Sequence, residues 1–418
     1  MIRIAADRLQ DGIPDYSTVE EAVRAFEMGA GRLARLSRYY EGKHDILSRT
    51  RLTGLPNSRI CHAYPRYIAQ VSASYLLGEP VQVDGPEPGA SALRALLLKA
   101  SADSVDVELA LYQAIFGRAV SLCYEDRSAQ PFVCSLNPRN AFVVYDDTVA
   151  GDPLFGVYIQ EDEGHKAYTV YTDRHVIIYD KTRRARTQPH PFLSLPMVEY
   201  KNGADAHGDF EDVLALIDAY NLLQADRMND RQQFSDALLV LTGVMGIGSD
   251  AEGSAMERLR QEKTLALPDS DAKAEWLVKT PQEQDVDILR KALAQDIHKF
   301  SLTPDFSDER FAGNASGIAI KYKLFNFDNR IKLKERYFVT GLRERARAFC
   351  GWLYTRQRVA LDADELRFKL SRRLPVNELE RAATLNHLRD ILPKDTLAFN
   401  SPLQEDPARR GKEGTGSK

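Results

Sequence analysis

Apolar residues recur at helical spacing in the stretch that follows Gly208. Phe210, Val213, Leu214, Ile217 and Tyr220 fall at i, i+3, i+4, i+7 and i+10, and neither Pro nor Gly interrupts 209–237. Asp209, Glu211 and Asp212 stand in the first turn, where carboxylates favour a helix N-terminus. The spacing predicts a helix of roughly 40 Å. Its second half, 224–234, carries almost no apolar stripe, so that half either leaves the core or packs in a wet interface with another copy of the chain. A β-prone run at 238–242 and a glycine-broken segment then lead into a small α/β insert, with a helix predicted over 251–261 and strands at 264–267 and 275–278. Helix returns at Gln282. Val286, Leu289, Leu293, Ile297 and Phe300 form its apolar set, with Asp285 and Asp287 at its start and His298 and Lys299 at its end, which suits the helix dipole. Leu302-Thr-Pro-Asp ends it. A loop over 305–317 opens a third helix of roughly 60 Å, running to about Arg358, for which Ser316 is the predicted N-cap.

Upstream, one helix is predicted over 18–41, with Val19, Val23, Phe26, Leu33 and Leu36 as its apolar set, another over 61–77, and one or two over 89–118. Strands follow at 119–124, 141–145, 154–159, 168–171 and 175–179. Asp146-Asp147, Gly151-Asp-Pro153 and Asp162-Glu-Gly164 act as turns between them. This pattern is α+β, built on a mostly antiparallel sheet. Downstream of the long helix, 366–374 reads as a strand returning to that sheet and 377–392 as a helix. The tail over 401–418 is rich in Gly, Pro, Lys and Arg and is predicted to be disordered.

At 418 residues the chain should form more than one domain. Its formal charge of −4 excludes a histone-like protein that grips nucleic acid, but not a channel through which DNA must slide. The four cysteines lack metal-ligand spacing and read as reduced thiols. The N-terminus has no signal-peptide run, and no window approaches the roughly 18 apolar residues of a membrane helix, so a soluble protein made in the cytoplasm is expected.

Motifs that carry chemistry are absent. The glycine-rich segment 243–249 lacks the GK[ST] of a phosphate loop. Gly313-Asn-Ala-Ser-Gly317 places its serine one position late for a nucleophile elbow. A metal-binding reading of Asp146-Asp147 yields to a polar turn between strands. The eight histidines are scattered. No cofactor, metal or catalytic group is predicted, and the rival to a structural role is a soluble α+β hydrolase or nuclease with dispersed catalytic residues.

Several short motifs do carry a resemblance. Gly208-Asp-Phe-Glu-Asp-Val, Leu216-Ile-Asp-Ala-Tyr-Asn and Asp236-Ala-Leu-Leu-Val-Leu-Thr-Gly look like the first stem helix of tailed-phage portal proteins. The run from Phe300-Ser-Leu-Thr-Pro-Asp through Gly313-Asn-Ala-Ser-Gly resembles the second stem-helix end and tunnel loop of that family, in its long-tailed siphophage branch. Tyr39-Tyr-Glu-Gly-Lys-His, Ser74-Tyr-Leu-Leu-Gly-Glu-Pro-Val, Asn137-Pro-Arg-Asn-Ala-Phe-Val-Val-Tyr-Asp-Asp-Thr and Leu195-Pro-Met-Val-Glu-Tyr-Lys-Asn match in family order.

The resemblance implies a wing over 1–207, a first stem helix over 208–241, a clip over 242–281 and a second stem helix over 282–302. It then implies a tunnel loop over 303–317, a long kinked helix and return strand over 318–375, a short crown over 376–400 and a tail over 401–418. Function would be a ring of about twelve subunits closed by rotation, set at one capsid vertex of the virion, through which double-stranded DNA is packaged and ejected. The implied partners are the terminase large subunit, which would supply the ATPase, the major capsid and scaffolding proteins, and a head-completion adaptor. Candidate channel residues are Arg290, Lys291 and Lys299. Candidate tunnel-loop residues are Phe306, Asp308, Glu309, Arg310, Phe311 and Asn314, and candidate docking residues on the clip are Arg258, Arg260 and Lys263. For the stem cations, pairing with Asp287 and Asp296 is the competing reading.

Overall fold

The computed structural model of the chain describes residues 2–52, 55–162, 165–179, 184–234, 238–242, 273–277, 283–306 and 317–372. The fold is α+β, and the chain divides into two compact units. The first comprises Met1–Glu41, Tyr64–Asp212 and His298–Lys418, and the second Gly42–Ala63 and Val213–Ile297.

In the first unit a six-stranded sheet is formed by β1 (Ile2–Ile4), β7 (Ala141–Asp146), β8 (Pro153–Asp162), β9 (His165–Tyr171), β10 (His175–Tyr179) and β11 (Ala185–Pro189), in that spatial order. It is antiparallel except for the parallel pair β1–β7. Two short strands near the N-terminus, β2 (Leu9–Gln10) and β3 (Ile13–Pro14), pair only with each other. A second, antiparallel sheet of three strands has the order β12 (Met197–Lys201), β5 (Arg118–Glu125), β6 (Pro131–Leu136). The strands expected to form one sheet therefore belong to two. Their packing explains why β7 reads as an unbroken apolar run: it is buried on both faces. Val143, Tyr145 and Ala141 pack with Val120, Leu122 and Met197 of the other sheet. Phe142 stacks at 4.4 Å on Phe26 of helix α1 (Tyr16–Glu27).

The helix predicted over 18–41 is two helices, α1 and α2 (Ala30–Tyr40), separated at Met28-Gly29. Next come α3 (Tyr64–Leu76), β4 (Gln82–Asp84), α4 (Gly89–Lys99) and α5 (Ala102–Phe116). The long helix, α8 (Gly317–Trp352), runs 36 residues and ends in a π-helical turn, Leu353–Gln357. Leu324, Phe327, Ile331, Phe338, Leu342, Ala346 and Phe349 make its buried stripe. It lies so close to β12 that a Cβ at Gly341 would come within 2.3 Å of the Tyr200 ring. The return strand is real but short: β15 (Arg367–Lys369) pairs antiparallel with β4 in a ribbon of its own, not with the larger sheets.

The second unit contains a 3-10 turn (Asp45–Ser48), helix α6 (Leu214–Phe234), the antiparallel pair β13 (Leu238–Thr242) and β14 (Lys273–Leu277), and most of α7 (Glu283–Phe300). The predicted helices over 251–261 and 377–392, the strand at 264–267, the Ser316 cap and the tail lie outside the described residues.

Candidate functional site

The polar half of α6 has an explanation within its own chain. The buried face that begins with Val213, Leu214 and Ile217 continues through Asn221, Ala225 and Asn229 at spacings of four. Its cover is the segment 42–63. Asn221 Oδ1 accepts from the His62 N–H at 2.9 Å, and its amide nitrogen lies 2.8 Å from His44 Nδ1. Asn229 Oδ1 accepts from the Ser58 N–H at 2.6 Å. Asp226 holds both Arg49, at 2.8 Å, and Arg51. On this face α6 is clothed by hydrogen bonds rather than left wet, so neither exit from the core nor a second copy is required.

A buried charged cluster lies ahead of α6. Asp209 stands before the helix, not in its first turn, and its carboxylate is 1% exposed. Lys334 Nζ of α8, 3% exposed, donates to Oδ2 at 2.8 Å. Arg330 Nη2 donates to Oδ1 and to the Asp209 carbonyl, both at 3.0 Å, and Asn202 Nδ2 donates to Oδ1 at 2.8 Å. Burial alone pushes the Asp209 carboxyl up, but the Lys334 and Arg330 charges outweigh it and hold the group at about 2. Burial draws the Lys334 ammonium below the usual lysine range, against the pull of the same carboxylate.

Backbone contacts seat this approach to α6. The Asp209 N–H donates to Ala114 O at 2.7 Å, and the Asn202 N–H donates to Gly117 O at 2.9 Å. Gly117 has φ +78°, and a Cβ there would meet Ala206 O at 1.8 Å. One residue pair further on, Arg32 grips Glu211 through two bonds of 2.6 Å. Burial pushes the Glu211 carboxyl up, but the Arg32 fork and the Gly208 N–H hold it low.

Helix α7 is different in kind. Of its predicted apolar set, Ile297 is fully buried, whereas Leu289 is 50% and Phe300 58% exposed, and neighbouring Ile288 is 66% exposed. Arg290 and Lys291 both turn to Asp287, at 2.9 and 2.8 Å, as the competing reading expected. The Lys291 and Arg290 hydrogen bonds hold the Asp287 carboxyl below the usual range. Lys299 Nζ sits 5.3 Å from the centre of the Phe300 ring.

The chain after α7 turns at Leu302, φ +53°, and is tied down at each step to Phe306. Arg330 donates to Ser301 O, His298 Nδ1 lies 3.0 Å from Thr303 O, and Tyr67 Oη donates to Pro304 O at 2.8 Å. Phe306 is exposed. Asp308, Glu309, Arg310, Phe311 and Asn314, with Arg258, Arg260 and Lys263, lie outside the described residues.

The structure brings together residues that motif reading passed over. Lys334 falls three after Ile331 and four before Phe338, and Arg345 three after Leu342, so both are charges on the buried stripe of α8. Arg345 meets Asp106 of α5 in a second buried pair. A charge at a stripe position is a signal for a buried partner. The Asp146 carboxylate accepts from the Thr148 hydroxyl at 2.9 Å and the Asp152 N–H at 3.0 Å, as a polar turn does. Among the described residues no helix is long and apolar enough to cross a membrane.

Comparison with known proteins agrees with this architecture. Two solved structures share the fold: a chain from the neck of an empty GTA particle computed with C6 symmetry, and one from the neck of a native GTA particle computed with C12 symmetry. The first has a TM-score of 0.51 at 12% identity, over 81% of this chain and 90% of that one. The second has a TM-score of 0.50 at 12% identity, over 87% and 95%. The portal protein of Bacillus phage SPP1 is 22% identical over 380 residues, covering 84% of this chain and 74% of the relative. The portal protein of Clostridium phage phiCD119 is 23% identical over 225 residues, covering 53% of this chain and 48% of the relative. The profile described as "Phage portal protein, SPP1 Gp6-like" matches residues 24–413, and that family is structural and non-enzymatic, which sets aside the hydrolase reading. With nearly its whole length matched, this chain belongs to the SPP1 Gp6-like family of phage portal proteins.

Proposed function

We propose that the chain assembles into a closed ring of about twelve subunits at one capsid vertex, and that double-stranded DNA passes through the ring during packaging and ejection. The observation that carries this reading is the exposed apolar surface of α7. Ile288, Leu289 and Phe300 stand on a helix that a compact monomer would turn inward. A neighbouring subunit in a heterologous ring covers such a face, and rotation closes the contact.

The charges on the same helix suit a DNA channel. Arg290 and Lys291 share one carboxylate, Asp287, so the trio presents a net single positive charge. Unpaired cations would hold phosphates and slow sliding, because each contact releases counterions and strengthens binding. Arg290, Lys291 and Lys299 are assigned to the channel wall. Phe306, Asp308, Glu309, Arg310, Phe311 and Asn314 are assigned to the tunnel loop. The insert that contains Arg258, Arg260 and Lys263 is assigned to docking of the terminase large subunit and then of head-completion adaptors.

Negative-stain microscopy with mass photometry tests the reading. Rings with a central hole and a mass of about 560 kDa, about twelve times the 47.0 kDa chain, are expected. A compact monomer or dimer across salt and concentration overturns it.

A further inference from the structure

The short segment between α7 and the candidate loop is held by more polar contacts than a connector requires. Within 301–306, Arg330 donates to Ser301 O, His298 Nδ1 lies 3.0 Å from Thr303 O, and the Thr303 N–H donates to His298 O at 3.1 Å. Ser301 and Thr303 are buried. Tyr67, on α3, makes the outermost contact. Its hydroxyl donates to Pro304 O at 2.8 Å and accepts from the Phe306 N–H at 3.3 Å, and so bridges two backbone groups on either side of Asp305. A phenol can do both at once because its oxygen is donor and acceptor. The ring is fixed in turn by an edge-on contact with His298 at 5.8 Å.

We infer that Tyr67 is a positioning residue for the tunnel loop: its hydroxyl fixes the backbone on both sides of Asp305 and thereby sets where Phe306 enters the channel. Arg330 extends the same support, because one guanidinium joins Ser301 O to the buried Asp209 carboxylate. The loop base is thus tied to α3, to the approach to α6 and to the long helix. The inference rests on the channel assignment above, but its structural half does not.

The test is Tyr67→Phe, which removes one oxygen and keeps the ring. Hydrogen exchange of the full-length protein should show the Phe306 amide exchanging about two- to tenfold faster, the factor that loss of one hydrogen bond gives. The amides of Ile68 and Ala69 in α3 should be unchanged. Rings should still form, and complementation of a particle lacking this gene should yield fewer DNA-filled heads than the wild-type chain does. Unchanged exchange at Phe306, failure of the variant to form rings, or DNA-filled heads at the wild-type level would each overturn the inference. A wild-type chain that forms no rings would instead refute the channel reading, while the exchange experiment would still judge the Tyr67 bridge.

Discussion

Replacing Asp209 by Asn keeps the shape of the buried cluster and removes the carboxylate that Lys334 and Arg330 share. In the native protein that carboxylate accepts from Lys334, Arg330 and Asn202 at 2.8–3.0 Å and is almost fully enclosed. An asparagine amide offers one acceptor and turns an NH2 donor toward a cation. Lys334, itself 3% exposed, would then sit beside Arg330 with no opposing charge. Removing one member of a buried ion pair typically costs about 3–5 kcal/mol, and the enclosure here places Asp209→Asn in that range. The companion variant combines Asp209→Asn with Lys334→Met, which removes the stranded charge while keeping most of the volume. It should recover at least half of the loss. The chain has two tryptophans, Trp276 and Trp352. In a Trp276→Phe background the buried Trp352 reports the first unit alone, so urea denaturation followed by its fluorescence gives the stabilities of the parent, the single and the double variant. A loss below about 1 kcal/mol for Asp209→Asn, or a double variant no more stable than the single, would refute the argument that this charge pair is buried and mutually dependent.

Further outcomes follow from the same geometry. Because the Asp209 carboxyl is depressed from 3.8 to about 2 in the folded chain, its contribution is complete above the unfolded value and disappears on acidification. The stability gap between wild type and Asp209→Asn should therefore be full above 3.8 and narrow progressively as the pH falls from 3.8 toward 2, as read by denaturation at each pH. Asn229→Ala strands the Ser58 N–H and should cost about 1–3 kcal/mol, seen as faster limited proteolysis within 42–63. Leu289→Glu changes an exposed position, so folding stability should move by no more than about 0.5 kcal/mol, while mass photometry should show ring formation lost. Rings at the wild-type level would remove α7 from the subunit interface.

How far the fold was legible depended on what each element packs against. Helix α7 was readable because its apolar positions recur at helical spacing, His298 and Lys299 stand at its end and Pro304 follows. The long helix α8, which has no acidic residue in its first turn and no basic one in its last, was read from the Gly/Asn/Ser loop that precedes it. The break between α1 and α2 was missed because the apolar spacing of Phe26 and Leu33 runs through Met28-Gly29 as if helical. Strands β6 and β12 went unread because they supply single faces of a three-stranded sheet whose register only the tertiary fold sets. The return strand pairs with β4, three residues that carry almost no pattern of their own. At the candidate site, Arg290 and Lys291 were placed by helical position alone, and their sharing of Asp287 was visible as i,i+3 and i,i+4 spacing. The Asp209 cluster was not visible, because its members lie far apart in sequence. Asn229 was misread for a related reason: a polar residue on a buried face looks solvent-exposed until its cover is known.

That cover, 42–63, has a consequence for how the protein is made. About 150 residues separate Ala63 from Val213, the first residue of its partner stretch. At about 5–20 residues per second a ribosome needs about 8–30 s to supply them. Throughout that interval Arg49, Arg51 and Ser58 are already translated while Asp226 and Asn229, which will receive them, are not. The second unit is thus assembled late from an early piece and a late one, and a nascent chain arrested before α6 emerges would present an orphaned basic strap to chaperones and proteases.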